Sequence, residues 1–130
     1  MDKLTEELKA IGVLKKGTVV LTSGRKADFY IDLKLAHGHP KVLRLMTDGL
    51  SKYIDKETTC VAGIGYGGLP LVTAIALKNN LKSVFVRKEP KKHGTSAWID
   101  GYVPSKKDRV VIVDDVLTTG GSIEKINIGV

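Results

Sequence analysis

The chain has 130 residues, which makes one domain the default and leaves enough material for one hydrophobic core. Hydrophobic residues make up 42% and charged residues 27%, which excludes intrinsic disorder, and no apolar run approaches the roughly 20 residues of a membrane helix. The net charge of +7 favours an anionic partner, such as nucleic acid, an acidic membrane or a polyphosphate metabolite, although 5% aromatic residues is sparse for a single-strand binder.

The first part of the chain predicts a helix, two strands and a second helix. Residues 2–11 carry leucine and isoleucine at helical spacing, and Gly12 suits the end of that helix. The short runs at 18–22 and 29–33 are typical of strands. Residues 40–54 begin with proline and show a continuous apolar stripe, which predicts the second helix.

Strands and helices alternate from residue 60 onwards. Apolar runs at 60–64, 83–86 and 109–113 predict buried strands, and residues 69–80 predict the helix between the first two. This alternation predicts an α/β fold with a parallel central sheet and right-handed crossovers. Ligands of such sheets bind at the carboxyl ends of the strands. The loops expected at that edge are 63–68, 87–101 and 114–122.

The segment 110–122, VVIVDDVLTTGGS, carries the strongest functional signal. An apolar strand leads into two acids, a small-residue loop and a predicted helix start, where backbone N–H groups favour a phosphate. No Gly-Lys-Ser/Thr follows the glycines, so the loop is not a Walker loop. Asp114 and Asp115 are adjacent on an extended chain and are expected to face opposite sides, which argues against a paired-carboxylate glycosidase.

This segment resembles the phosphoribosyl pyrophosphate (PRPP) signature of the type I phosphoribosyltransferases. The resemblance implies that the two acids contact the ribose hydroxyls and that the small-residue loop holds the 5-phosphate. It also implies magnesium as the cofactor, held through PRPP and not directly by the protein. The PRPP-binding residues implied in this segment are Asp114, Asp115, Val116, Leu117, Thr118, Thr119, Gly120, Gly121 and Ser122.

The second signal is the basic segment 87–94, RKEPKKHG. A charged run is usually a solvated loop, but this one follows a buried strand at the same edge of the sheet. It resembles the mobile RKE-x-K-x-HG loop of the orotate phosphoribosyltransferases. That likeness implies that Arg87, Lys88, Lys91 and His93 stabilise the pyrophosphate leaving group, with Lys91 and His93 acting in catalysis beside the two acids. In the family this loop closes over the partner's active site, which implies a homodimer with loop 87–101 acting in trans.

Two further segments match the same family. SGRKADFYIDL, at 23–33, resembles the hood over the base, which implies that Tyr30 packs on the orotate ring and that Lys26 lies on the base side, while Thr118 borders the base. In GIGYGGLP, Tyr66 matches a residue near the pyrophosphate, whereas the lysine that often follows it is replaced by Gly67. The resemblance divides the single domain into a hood, approximately 12–36, and a core, approximately 40–130.

The resemblance implies a transfer of the 5-phosphoribosyl group from PRPP to orotate, which gives orotidine 5'-phosphate and pyrophosphate in pyrimidine biosynthesis. Two alternatives stay open. A PRPP-sensing regulator that binds nucleic acid is permitted by the net charge, but the basic residues concentrate in the pyrophosphate loop. A purine phosphoribosyltransferase of the same fold is opposed by the Lys91–His93 loop.

The remaining features have structural interpretations. His37 and His39 flank a glycine before Pro40, which is more typical of a loop than of a metal pair. Cys60 opens an apolar strand and is expected in the core, and a single cysteine excludes an internal disulfide. Because the charged start of the chain also lacks the apolar core of a signal peptide, we expect a cytoplasmic protein.

The family continues beyond the phosphate loop with a helix, a strand and an arginine that clamps the orotate carboxylate. After Ser122 this sequence has only IEKINIGV. We therefore expect a type I phosphoribosyltransferase fold whose C-terminal elements are missing, in either a fragment or a natural short variant. The expected consequence is an intact phosphate site with weak transfer to orotate.

Overall fold

The computed structural model describes residues 2–20, 23–94 and 97–116, together with Gly121. In that part of the chain no helix is both long and apolar enough to cross a membrane. The elements in chain order are α1 (Lys3–Ala10), β1 (Leu14–Val20), β2 (Lys26–Ile31), α2 (Lys34–His37), α3 (Pro40–Ser51), β3 (Cys60–Ile64), α4 (Gly65–Asn79), β4 (Lys82–Val86), β5 (Ile99–Gly101) and β6 (Val110–Ile112).

The central sheet has four strands in the order β5-β4-β3-β6. β3 pairs in parallel with both β4 and β6, so the predicted α/β fold with a parallel core is confirmed. β5 is antiparallel to β4 and lies within the segment 87–101, which was predicted to be entirely loop. That prediction is wrong for the last three residues, because Ile99 is buried opposite Val86 and extends the sheet beyond β4.

β3 lies at the centre of the sheet because every one of its side chains is apolar and buried. Val61 points into a cluster that α3 and α4 complete with Val42, Leu71 and Ile75. Its neighbours along the strand point to the opposite face, into a cluster with β4 and β5 that comprises Cys60, Ala62, Ile64, Val84, Val86 and Ile99. Burying one such branched side chain contributes about 1.5–3 kcal/mol, so the sheet is anchored from both faces.

The helix α4 begins four residues before the predicted start at Leu69, and the glycine-rich turn forms its first turn. Gly65 has a φ of +68°, a left-handed conformation that lets the chain turn from β3 directly into the helix. Gly63 allows the close approach of the two elements, because a Cβ there would lie 2.5 Å from Val72 Cγ2. The helix ends at Asn80, which is left-handed, and Leu81 N–H donates to Ala76 O at 2.9 Å.

The two N-terminal strands form a separate antiparallel hairpin. β1 begins at Leu14 and β2 at Lys26, earlier than the predicted runs 18–22 and 29–33, because Leu14 pairs with Ile31 at the open end of the ladder and Lys26 pairs with Val20 beside the turn. Residues 21 and 22 lie outside the described part of the chain.

The first two predicted helices, 2–11 and 40–54, are confirmed with shorter bounds. α1 is capped by Asp2, whose carboxylate accepts a hydrogen bond from Thr5 N–H at 2.7 Å. α3 begins at Pro40 as predicted but ends at Ser51 instead of residue 54. The short helix α2 was not predicted.

Asp108 fixes the connection that leads into β6. Its carboxylate accepts hydrogen bonds from Thr59 Oγ1 at 2.8 Å, from Tyr102 OH at 2.7 Å and from Ser105 N–H at 2.8 Å. Only 7% of the Asp108 side chain is exposed. These donors, the Ser105 N–H first among them, hold the pKa of Asp108 well below its usual range. The charged form therefore stabilises the fold.

We predict that Asp108→Asn lowers the free energy of unfolding at neutral pH, because the amide cannot accept all three hydrogen bonds equally well. A depressed pKa contributes stability that is complete above the unfolded value, about 3.9, and that is lost as the pH falls below it. The difference between wild type and variant should therefore shrink below about pH 4. Denaturant unfolding from pH 3 to pH 7 measures this, with the exposed Asp48→Asn as the control; a difference independent of pH would contradict the assignment.

Candidate active site

Three segments meet at the carboxyl edge of the parallel strands. The chain leaves β4 into the basic loop, leaves β3 into the glycine turn of α4, and leaves β6 into the acid pair. Since β3 lies between β4 and β6, the glycine turn 65–68 separates the basic loop from the acids. This is the arrangement that the sequence predicted for the loops after the three strands.

The acid pair lies against the first turn of α4. A Cβ at Gly67 would be 2.3 Å from Asp115 Oδ1, and a Cβ at Gly68 would be 3.7 Å from Asp114 Oδ1. Asp115 N–H also donates to Asp114 Oδ1 at 2.8 Å. The two carboxylates therefore do not face opposite sides as expected, because β6 ends at Ile112 and the chain bends before strand alternation reaches them.

The basic loop reaches the glycine turn from the other side. The Cε of Lys88 would lie 3.1 Å from a Cβ at Gly65, so the lysine stem covers the start of α4. His93 is exposed, as expected for a loop residue. A cavity of about 570 Å³ opens between the loop and the helix, and its wall includes Gly65, Tyr66, Leu69, Phe85, Arg87 and Lys88.

Asp100 is a charged residue of this region that the sequence analysis did not identify. Its Oδ2 pairs with Arg87 Nη1 at 3.0 Å, and its Oδ1 pairs with Lys91 Nζ at 2.7 Å. Hydrogen bonds from Lys91 and then from Arg87 hold the pKa of Asp100 below its usual range. In the sequence, Asp100 is a single acid in a predicted loop. Its ion pairs could not be predicted, because they depend on β5, a strand that the sequence did not predict.

His37, which was expected in a loop, is instead the last residue of α2. Within the described part of the chain, both of its imidazole nitrogens are buried without a hydrogen-bond partner. Burial lowers the pKa of His37, while the charge of Asp115 acts in the opposite direction. The histidine therefore lies near enough to Asp115 for their charges to interact. No group of three His, Cys, Asp or Glu side chains in the described ranges could hold a metal ion.

Two of the predicted base-side residues, Tyr30 and Lys26, lie on the hairpin, which forms a sheet separate from the central one. Tyr30 is half-buried on β2 and faces Lys15 in the ladder, and Lys26 is exposed opposite Val20. Among the described residues neither makes a hydrogen bond or ion pair with the three loops.

Part of the predicted phosphate loop lies beyond what the structure describes. Val116 is exposed and follows the acid pair. The predicted site residues outside the described part of the chain are Leu117, Thr118, Thr119, Gly120 and Ser122, while Gly121 is described by itself.

Comparison with known proteins supports the same assignment. Residues 36–127 match the phosphoribosyl transferase domain family. The chain is 40% identical over 124 residues to the orotate phosphoribosyltransferase of Methanocaldococcus jannaschii, covering 95% of this chain and 70% of that protein. It is 43% identical over 122 residues to the orotate phosphoribosyltransferase of Methanopyrus kandleri, covering 94% of this chain and 65% of that protein.

Solved structures agree. The orotate phosphoribosyltransferase of Aeropyrum pernix superposes with a TM-score of 0.80 at 36% identity, covering 95% of this chain and 70% of that one. The Mycobacterium tuberculosis orotate phosphoribosyltransferase in complex with PRPP superposes with a TM-score of 0.70 at 27% identity, covering 97% of this chain and 70% of that one.

The sheet and its loops define a phosphoribosyltransferase fold of type I. The chain belongs to the phosphoribosyl transferase family and, within it, to the orotate phosphoribosyltransferases. It spans between 65% and 70% of the length of the two curated relatives named above.

Proposed function

We propose that this chain binds PRPP at the carboxyl edge of its central sheet and transfers the 5-phosphoribosyl group to orotate, giving orotidine 5'-phosphate and pyrophosphate. The observation that carries the proposal is the glycine turn of α4, which lies between Lys88 on one side and Asp114 and Asp115 on the other. PRPP requires acidic groups on one side of its site and cations on the other, because its ribose hydroxyls donate hydrogen bonds to carboxylates while its phosphates attract cations. The two orotate phosphoribosyltransferases named above support orotate as the acceptor.

The acid side is proposed to hold the ribose. Asp114 and Asp115 are half-buried and adjacent, so both carboxylates can accept hydrogen bonds from neighbouring ribose hydroxyls. The small-residue segment that follows is proposed to hold the 5-phosphate through its backbone N–H groups. That role rests on its sequence, residues 116–122.

The basic side is proposed to stabilise the leaving group. In the transfer, the bond from the anomeric carbon to the pyrophosphate oxygen breaks, a bond from that carbon to a ring nitrogen of orotate forms, and the proton of that nitrogen is lost to water. Negative charge grows on the pyrophosphate as it leaves, which is where cations of the loop contribute most. We assign this role to Arg87, Lys88, Lys91 and His93, with Tyr66 on the rim of the cavity.

The base side is proposed to be covered by the β1–β2 hairpin. We regard this hairpin as the hood, approximately residues 12–36, over a core of approximately 40–130. Tyr30 would pack on the orotate ring, with Lys26 and Thr118 bordering it. The half-buried position of Tyr30 supports a packing role better than a purely solvated one.

The acid pair also fits a magnesium ion that arrives with PRPP and is held through the oxygens of PRPP. Magnesium usually keeps several water ligands when it binds together with substrate phosphates. Asp114 and Asp115 would accept hydrogen bonds from such waters, and no group of three possible metal ligands lies among the described residues. When bound, the ion would neutralise charge on the pyrophosphate.

We further propose a cytoplasmic homodimer in which loop 87–101 reaches the partner's site with Lys91 and His93, while Lys88 at the base of the loop stays beside the glycine turn of its own chain. The family likeness supports the dimer. The free, fully buried thiol of Cys60 is compatible with a reducing compartment.

If the glycine turn positions Asp115, a substitution in the turn should lower the affinity for Mg-PRPP without lowering the stability of the fold. In Gly67→Ala the new Cβ would overlap the Asp115 carboxylate and displace it, so Mg-PRPP affinity should fall roughly tenfold or more. Stability should hold or rise, because alanine favours a helix over glycine by about 1 kcal/mol. Titration calorimetry and thermal unfolding measure both. Gly49→Ala, in α3 with open space around it, is the matched control; equal affinity in both variants would refute the role of Asp115.

The leaving-group role predicts that Lys91→Ala and His93→Ala each lower turnover of PRPP and orotate on the order of a hundredfold. The midpoint of thermal unfolding should stay close to wild type, because both side chains lie in a loop outside the core clusters. The exposed Lys92→Ala is the control for loss of a loop lysine. Steady-state kinetics that show equal loss in all three variants would point to net charge instead of position.

Action in trans predicts complementation between two inactive variants. Mixing Lys91→Ala with Asp115→Ala creates hybrid dimers in which one of the two sites has both wild-type residues, so about a quarter of the wild-type activity should return. If the loop served its own subunit, every site would be defective and no activity would return. The assay is turnover after subunit exchange, with each variant alone as the baseline.

A further inference from the structure

Arg87 and Lys91, two of the four cations proposed for pyrophosphate, are already engaged with an anion inside the chain. Arg87 Nη1 lies 3.0 Å from Asp100 Oδ2, and Lys91 Nζ lies 2.7 Å from Asp100 Oδ1. Each carboxylate oxygen thus receives one cationic donor, as two oxygens of a phosphate group would. The nitrogen atoms that would bind the leaving group are the ones that Asp100 occupies.

The backbone brings these three side chains together. Asp100 stands opposite Phe85 in the antiparallel ladder of β4 and β5. Beyond the ladder, Arg87 N–H donates to Trp98 O at 2.8 Å, and Lys91 N–H donates to Ala97 O at 2.6 Å. These bonds close the base of the loop, so Asp100 is held within reach of both cations.

The exposure of the three side chains sets the strength of the contact. The exposed fractions are 42% for Arg87, 30% for Lys91 and 45% for Asp100. Ion pairs this exposed contribute little, because water and salt screen them. Pyrophosphate carries several negative charges, so it attracts the same cations more strongly than one carboxylate does. The contact is therefore strong enough to orient the loop but weak enough to be exchanged.

We propose that Asp100 is a positioning residue that serves as an internal counter-ion, occupying the anion site of Arg87 and Lys91 until the pyrophosphate group displaces it. The inference rests on the proposed function, because it takes these two cations as pyrophosphate ligands. In the free protein Asp100 keeps the cations together at the wall of the cavity, which Arg87 and Asp100 both line. On binding, the two donors pass from the carboxylate to the ligand.

This proposal predicts a gain of affinity when the counter-ion is neutralised. Asp100→Asn removes the competing charge and keeps the shape of the side chain. Inorganic pyrophosphate should then bind roughly threefold to tenfold more tightly, the range expected from losing two exposed ion pairs. A purely structural role for Asp100 predicts the opposite, because a disordered loop would bind more weakly. Asp100→Glu keeps the charge and should bind close to wild type.

Asp48→Asn is the matched control. The side chain of Asp48 is also 45% exposed, and it pairs with Lys78 on the helical side of the molecule. Its substitution by asparagine makes the same change in net charge, but away from the loop. The measurement is titration calorimetry with inorganic pyrophosphate, and thermal unfolding verifies that each variant is folded. Tighter binding in Asp100→Asn, with Asp48→Asn at wild-type affinity, supports the proposal.

Two results overturn it and differ from each other. If wild type binds Mg-PRPP and Asp100→Asn binds pyrophosphate equally or less tightly, the counter-ion role is wrong and the proposed function stands. If neither Mg-PRPP nor pyrophosphate binds to folded wild type or to Asp100→Asn, the loop is no pyrophosphate site, and both the counter-ion role and the proposed function fail. An equal gain in Asp48→Asn would assign the effect to net charge and would likewise overturn the role of Asp100.

Discussion

The close contact between the end of β3 and the first turns of α4 is the constraint on which the other features of the edge depend. A Cβ at Gly63 would lie 2.5 Å from Val72 Cγ2 and 3.3 Å from the backbone of Gly68. Any side chain at this position would push the helix away from the strand. Since the start of α4 also separates Lys88 from Asp115, the same contact sets the width of the candidate site. Glycine at position 63 is therefore required both for the packing of α4 on β3 and for the geometry of the candidate site.

Two aspartates, Asp108 before β6 and Asp100 in β5, show how burial decides what a carboxylate does. Asp108 is only 7% exposed, and three donors satisfy it, so its interactions are fixed and contribute to stability. Asp100 is 45% exposed, and its described ion pairs are with the side chains of Arg87 and Lys91. A buried, satisfied carboxylate is costly to disturb, whereas an exposed ion pair exchanges readily for a stronger anion.

The strands and helices could be predicted from the sequence where short runs of residues specify them. The strands at 60–64 and 83–86 were predicted because uninterrupted apolar runs of that length are buried in parallel sheets. The beginning of α4 was missed because glycine and proline disfavour helices, and tertiary packing overrides that preference at 65–68. β1 was predicted too short because Lys15 and Lys16 are polar but still pair in the hairpin.

The parts of the site that sequence could not predict depend on contacts between distant residues. The sharing of one edge by the three loops followed from the predicted parallel sheet, but the Asp100 ion pairs require the register that puts Asp100 opposite Phe85. The burial of both His37 nitrogens likewise depends on packing against other elements. Periodicity and motif spacing report which residues share a strand or a loop, and they carry no information on which side chains meet across strands.

The replacement of a common family lysine by Gly67 has a direct consequence for the acid pair. Asp115 Oδ1 lies where a Cβ at position 67 would be, so this position of the carboxylate and any side chain at 67 exclude each other. On the opposite side of the same turn, the stem of Lys88 covers Gly65, whose positive φ disfavours a side chain there. The start of α4 thus has no side chain at Gly65 or Gly67. Asp115 lies against one side of it, and Lys88, from the loop after β4, lies against the other. The cation beside the glycine turn is Lys88, which lies in the loop after β4. Its position therefore depends on the conformation of that loop and not on the helix.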